Sequence, residues 1–233
     1  MDRQQETVIL TRFLSTLSRG ALGLDDARTL LERSGSISGM ASSPPALLMR
    51  AGRLSGAQAE LLSYLPQIVR RCRLDQCGDG PRLDRLEAAA RYVRALYTGA
   101  RHERLFMLCL DSNFRLLEAR LLSSGSTLET SAPPRLIMES ALRVQSGAVI
   151  FCHNHPAGRK FFSETDVSST VAAMEVLEKI NVAMLDHLLV ARGEIVSLRQ
   201  MHYIPENVWT NSGTLAIPFS LWVEKADADG GES

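Results

Sequence analysis

The sequence predicts an α/β (α+β) domain, a mixed sheet flanked by helices, preceded by a small all-helical module. Three observations carry this. The first third shows apolar residues at helical spacing only; continuous apolar runs of strand length begin at Leu105; strands and helices are then interleaved to about residue 200.

The elements follow in order. Val8, Leu10, Phe13, Leu14 and Leu17 recur at helical spacing, and Asp25-Asp26 precede Ala27, Leu30 and Leu31 as acidic first-turn residues do. Ser42-Ser43-Pro44-Pro45 punctuates the chain. A helix from about Gly56 to Arg73 places Ala59, Leu62, Leu65 and Ile68 on one face. The polar stretch Asp75 to Pro81 is rich in turn formers, so residues 1–75 are expected as the helical module and 76–83 as a linker. From 84 to 200 the pattern gives a helix near Asp84 to Tyr97 and strands at Leu105 to Leu110 and Leu116 to Leu122. Next come a helix opened by Ser131 and Pro133-Pro134, a buried strand at Ala148 to Cys152, and a helix from Ser163 to Ile180. Two strands, Val182 to Val190 and Glu194 to Leu198, are joined by a turn at Arg192-Gly193. Residues 201–233 contain Trp209, Phe219 and Trp222 without a period, and an irregular tail is expected.

Composition narrows the function classes. The apolar fraction of 45% is ordinary for a globular core, and no run is long enough to span a bilayer. The polar start Met1-Asp2-Arg3-Gln4-Gln5-Glu6 does not read as a secretory leader, so a cytoplasmic protein with no membrane partner is expected. Cys72, Cys77, Cys109 and Cys152 lack zinc-knuckle spacing and read as reduced thiols. The net charge of zero argues against a dedicated DNA binder, although Arg50, Arg53, Arg70, Arg71 and Arg73 form a local basic cluster with only Glu60 among them.

One constellation carries chemistry. His153-Asn154-His155-Pro156 leaves the buried strand Ala148 to Cys152, and Ser163 and Asp166 follow in the spacing H-x-H-x(7)-S-x-x-D. Period-two alternation puts both imidazoles on one side of the strand. Two neutral nitrogens and one carboxylate are the protein ligands typical of catalytic zinc, with the fourth position left to water. Ser163-x-x-Asp166 also reads as a helix capping box, and the two roles are compatible because the box turns the Asp166 carboxylate back toward the helix entrance.

This arrangement resembles the JAB/MPN (JAMM) metalloprotease motif, and the surrounding sequence is similar to the bacterial RadC family. The similarity rests on Arg135 and the helix after it, Ala148-Val149-Ile150, the His153 to Pro156 core, Gly158, Ser163, Asp166 and Leu185-Asp186-His187. It implies a JAB/MPN-like sheet domain that binds one zinc through His153, His155 and Asp166, with Glu103 as general base and Ser163 donating to an oxyanion or orienting water. Asp186 and His187 would be outer support for the ligands or a hydrogen-bonded core pair. RadC relatives also carry a helix-hairpin-helix-like N-terminal module. Here Ala51-Gly52-Arg53-Leu54-Ser55-Gly56 would be its degenerate hairpin, with Arg53 in place of a glycine and able to face a DNA phosphate. The loop Pro156 to Phe162 departs from the family, and Phe161-Phe162 suggests an apolar contact with substrate, with another subunit in a homo-oligomer, or with the helix. Two readings stay open. One is a zinc-dependent metallohydrolase cleaving a peptide or isopeptide bond in a protein or peptide substrate. The other is a DNA-associated repair or recombination accessory protein whose metal-bound domain turns over little.

Overall fold

The computed structural model describes residues 2–125, 132–205, 207–210 and 213–216, the last two stretches by backbone alone. Two compact units divide between Arg73 and Leu74, inside the last turn of a long helix.

The first unit holds α1 (Arg3–Leu17), α2 (Leu24–Ser34), α3 (Ile37–Ala41), α4 (Pro45–Ala51) and most of α5 (Gly56–Asp75). Leu10, Leu14, Ala27, Leu30, Leu48 and Leu62 are among the residues that form its core. Two expectations are corrected. Pro44-Pro45 opens α4 instead of merely interrupting the chain, because a proline at N1 needs no backbone donor and is preset in φ. Val8 and Ile68, which periodicity assigns to apolar faces, are exposed; Ile68 lies past Leu65, the last α5 residue packed on this small core.

The second unit is built on a five-stranded sheet in the order β2-β1-β3-β4-β5. Its elements are α6 (Leu86–Leu96), β1 (Glu103–Leu110), β2 (Leu116–Gly125), α7 (Pro134–Arg143), β3 (Ala148–Asn154), α8 (Glu164–Glu178), β4 (Ala183–Ala191) and β5 (Glu194–Ser197). Only β3 and β4 pair in parallel, and they need the crossover through α8 that parallel neighbours require. Alternation along the strands sorts the core onto two faces. Phe106, Leu108, Ile150 and Cys152 meet Val93 and Leu96 of α6 on one side; Leu105, Met107, Val149 and Phe151 meet α7 and α8 on the other. The segment read as a linker, 76–83, adds Cys77 and the buried Leu83 to the α6-side core, and the Leu83 N–H donates to the Phe114 carbonyl at 2.8 Å.

From α5 to β5 the sequence boundaries agree to within three residues, whereas α3 and α4 are elements the sequence reading does not contain. The tail differs: β6 (Asn207–Thr210) and β7 (Gly213–Ala216) pair as an antiparallel hairpin where no period is legible, and Ile204 enters the core beneath α7 and α8. Ser131, Phe219 and Trp222 lie outside the described residues. Among the described residues no helix is long and apolar enough to cross a membrane.

Candidate metal centre

The centre sits where β3 ends, on the sheet face that carries α7 and α8. β3 is pinned between antiparallel β1 and parallel β4, so the direction of every side chain leaving it is fixed. His153 lies opposite Leu105 and is fully buried. His155, one residue past the strand, continues the ladder by donating its N–H to the Val190 carbonyl at 2.9 Å. The chain then turns sharply, with the Gly158 N–H donating to the His155 carbonyl at 2.9 Å. Gly158 adopts φ +81°, and a Cβ there would lie 2.4 Å from Arg192 Nε, so both backbone and space call for glycine. This turn brings the Arg159 carbonyl to 3.0 Å from His155 Nδ1. A carbonyl only accepts, so His155 keeps its proton on Nδ1 and leaves Nε2 as a lone pair.

α8 supplies the third ligand through its cap. Ser163 Oγ accepts from the Asp166 N–H at 3.1 Å and donates to Asp166 Oδ2 at 2.7 Å; the Ser163 N–H donates to the same oxygen at 2.8 Å. The sequence expectation of a capping box is met, and the capped carboxylate faces the histidines with both oxygens, Oδ1 toward His153 Nε2 and Oδ2 3.9 Å from His155 Nε2. His153 Nε2 lies 3.1 Å from His155 Nε2 and 3.7 Å from Asp166 Oδ1, and the ligand atoms of the three buried residues all fall within 4.8 Å of one another. Two nitrogens sharing a tetrahedral zinc at about 2.0–2.1 Å stand roughly 3.3 Å apart, so this donor set fits a divalent cation with little rearrangement. Burial lowers His153 to about 4, with repulsion from His155 adding to it and Asp166 opposing, which keeps the imidazole neutral as a ligand must be. Burial alone would raise the Asp166 carboxyl, but His153 and the bonds from Ser163 outweigh it and hold the group below its ordinary range.

The remaining predicted residues are distributed over both units. Glu103 opens β1 two residues before Leu105, on the same strand face and in the register that leads to His155. Pairing with Gly125 of β2 holds it from one side and Asn154 from the other. The Asn154 amide accepts from the Arg104 N–H at 3.0 Å and donates to the His102 carbonyl at 3.1 Å, so it grips the backbone on both sides of Glu103. Sequence reasoning treats Asn154 only as a family mark; its two-sided bonding needs the register. Ser163 directs its single hydroxyl proton to Asp166 Oδ2, so in this arrangement it orients the ligand carboxylate.

His187 joins the site directly, with Nε2 2.8 Å from His153 Nδ1. Phe162 covers both rings edge-on at 5.4 and 5.2 Å, whereas Phe161 points outward with the Arg159 guanidinium over its ring. Asp186 takes a different role: it accepts from Ser197 Oγ, from the His187 N–H at 2.6 Å and from the Arg199 N–H at 3.0 Å, which ties β4 to the end of β5. In the first unit, Arg53 makes a two-point ion pair to Asp26, Nε to Oδ1 at 3.0 Å and Nη2 to Oδ2 at 2.9 Å, and Asp26 in turn caps α2 through the Gly23 N–H. A cleft of about 290 Å³ opens beside Asp166, Thr170 and His187, walled by Leu105, Ile137 and Phe151.

A mixed sheet with this His-His-Asp cluster at the end of a parallel strand pair defines a JAB-type domain, a metallohydrolase-like fold. The RadC-like JAB domain model matches residues 83–203, just over half of the chain. The chain is 32% identical over 192 residues to a UPF0758 protein of Methylibium petroleiphilum, covering 82% of this chain and 86% of that protein. It is 31% identical over 196 residues to a UPF0758 protein of Pseudomonas fluorescens, covering 84% and 88%. The chain therefore belongs to the RadC-like JAB domain family.

Proposed function

We propose that this protein is a zinc-dependent hydrolase that cleaves a peptide or isopeptide bond in a protein or peptide substrate. The observation that carries the reading is the buried convergence of His153 Nε2, His155 Nε2 and the Asp166 carboxylate, with the Nδ1 atom of each imidazole already engaged elsewhere. When bound there, zinc would bring the pKa of a water it holds to about 7 and polarise the carbonyl under attack. The chain's own groups do the rest. Glu103, an acid outside the ligand set but on the same strand face, takes the proton of the attacking water and returns it to the leaving amine. Asn154 holds the Glu103 backbone in register. Ser163 keeps the Asp166 carboxylate ionised and aimed. The apolar cleft beside Asp166 receives a substrate side chain next to the reacting bond.

The test begins with elemental analysis of the purified chain, which should find one zinc per protein. A proteome-wide cleavage screen then identifies the scissile bond. Glu103→Gln should fold, keep its zinc and lose about 10²- to 10⁴-fold in turnover. A wild-type protein without metal, or unchanged turnover in Glu103→Gln, overturns the reading.

A further inference from the structure

Thr170 lies one turn after Asp166 on α8 and, to judge by sequence, is one more buried helix residue. Its hydroxyl is 2.6 Å from the Asp166 carbonyl oxygen and 2.6 Å from His187 Nδ1. These two contacts fix a direction. The carbonyl can only accept, so the single hydroxyl proton of Thr170 points to Asp166, and Oγ1 has nothing but lone pairs to offer His187. His187 must therefore carry a proton on Nδ1. Its ring is buried, edge-on to Phe151 and Phe162, and an uncharged imidazole protonated at Nδ1 has a bare Nε2. That Nε2, 2.8 Å from His153 Nδ1, can only accept, so His153 is protonated on Nδ1. The Nε2 of His153 is then a lone pair, facing the equally bare Nε2 of His155 at 3.1 Å. Two facing lone pairs beside a carboxylate repel one another and are relieved by a cation between them.

We propose that Thr170 and His187 form a positioning relay that locks His153 in the tautomer whose Nε2 is free to bind metal. The relay starts at the backbone carbonyl of one ligand residue, Asp166, crosses from α8 to β4 through the Thr170 hydroxyl and the His187 ring, and ends on another ligand residue, His153. It depends on His153 being a ligand, as in the hydrolase reading, but the proton positions exist without metal and are measured without it. His187 touches no reacting atom; its work is done through His153.

The experiment uses the full chain as wild type, Thr170→Val and Thr170→Ser, with zinc itself as the probe. Competition against a chromophoric chelator should show Thr170→Val binding zinc about 10- to 100-fold more weakly, the usual effect of removing an outer hydrogen-bond partner of a ligand. Thr170→Ser, which restores the hydroxyl, should return affinity to within a few-fold of wild type. Imidazole ¹⁵N NMR of the metal-free protein should find His187 protonated at Nδ1 in wild type and Thr170→Ser. In Thr170→Val that preference should weaken. Wild-type affinity in Thr170→Val, or His187 protonated at Nε2 in the wild type, overturns the relay. If the wild type binds no zinc, the hydrolase reading fails while the wild-type tautomer still decides the relay. The same spectrum decides it should Thr170→Val not fold.

Discussion

His153 and His155 stand two residues apart and present the same atom, Nε2, to the same point, yet different parts of the chain hold them. On the loop side, His155 is fixed by the Arg159 carbonyl four residues later, delivered by a turn that Gly158 makes possible. On the core side, His153 is fixed by His187 from β4 and, through it, by Thr170 of α8. One support lies four residues away in the sequence; the other requires β3, α8 and β4 to be packed together. A site divided in this way couples its ligand geometry to the packed core more strongly on one side than on the other. Removing a core-side group should therefore disturb metal binding and stability together, and loosening the loop should disturb mainly metal binding.

The largest effect tests whether both sides serve one cation. His153→Ala and Asp166→Ala should each abolish zinc binding, since a catalytic zinc is held by three protein ligands and each variant leaves only two. Asp166→Ala should do more. It also removes the acidic half of the α8 capping box, worth about 1 kcal/mol, so the metal-free variant should melt below the metal-free wild type. Full metal occupancy in either variant, measured by elemental analysis, would dissolve the comparison.

Acidification probes the core side next. His153 has a folded-state value near 4 against an ordinary 6.5, chiefly through burial, and His187 is also well below its ordinary range because burial and the neighbouring histidines disfavour its charge. Between these values and 6.5 the unfolded chain binds more protons than the folded one. Stability of the metal-free protein should hence be intact above about pH 6.5 and decline as pH falls through 4, by a few kcal/mol in order of magnitude. Replacing His187 with Gln should flatten the urea-denaturation profile over this window. A profile equally steep without His187 would assign the effect to other groups.

The sheet order and both sides of the site were unevenly legible in the sequence. Buried strands announced themselves as apolar runs, and the capping box gave the start of α8 and the direction of Asp166 at once, because both signals are local. Thr170 was invisible as a functional residue: a buried threonine on an apolar helix face is ordinary. Its place four residues after Asp166 was the only cue that the two share a face. The Arg159 carbonyl could not be read at all, since backbone acceptors leave no mark in a sequence. Asp186 and His187, adjacent and superficially a pair, proved to serve different neighbours, which only the strand geometry separates. Arg53 shows the same limit in the first unit, where a basic residue suited to a phosphate is held by Asp26, 27 positions earlier.

Asn154 stands at the seam between the two sides, and its replacement should separate catalysis from metal binding. Asn154→Ala releases the His102 carbonyl and the Arg104 N–H, so Glu103 keeps only its β2 pairing and is loosened on the β3 side while the ligands keep their places. Turnover should fall about 10- to 10²-fold, the scale on which a misplacement near 1 Å is felt, with zinc affinity unchanged. Asn154→Asp, still able to accept from Arg104 but unable to donate to His102, should fall between. A parallel loss of zinc would mean that the seam belongs to the core side.

The smallest effect is expected on the loop side, from Gly158→Ala. The added methyl meets Arg192 at Nε and Cγ, and φ +81° strains any side chain, so the turn must shift. Arg192 is long and partly able to yield, and the His155 N–H bond to Val190 remains to hold the backbone entering the turn. A small displacement of the Arg159 carbonyl lengthens its bond from His155 Nδ1, which loosens the tautomer. Zinc affinity should drop only a few-fold, and the melting temperature of the metal-free protein should fall by no more than a few degrees, since the strain is about 1 kcal/mol and no core residue is touched. Removing the obstructing side chain in Gly158→Ala with Arg192→Ala should recover part of the affinity, leaving only the strain of positive φ, about 1 kcal/mol. If Gly158→Ala instead weakens zinc as much as Thr170→Val, the local support matters as much as the assembled one. The two histidines would then have to be regarded as equally dependent on the fold.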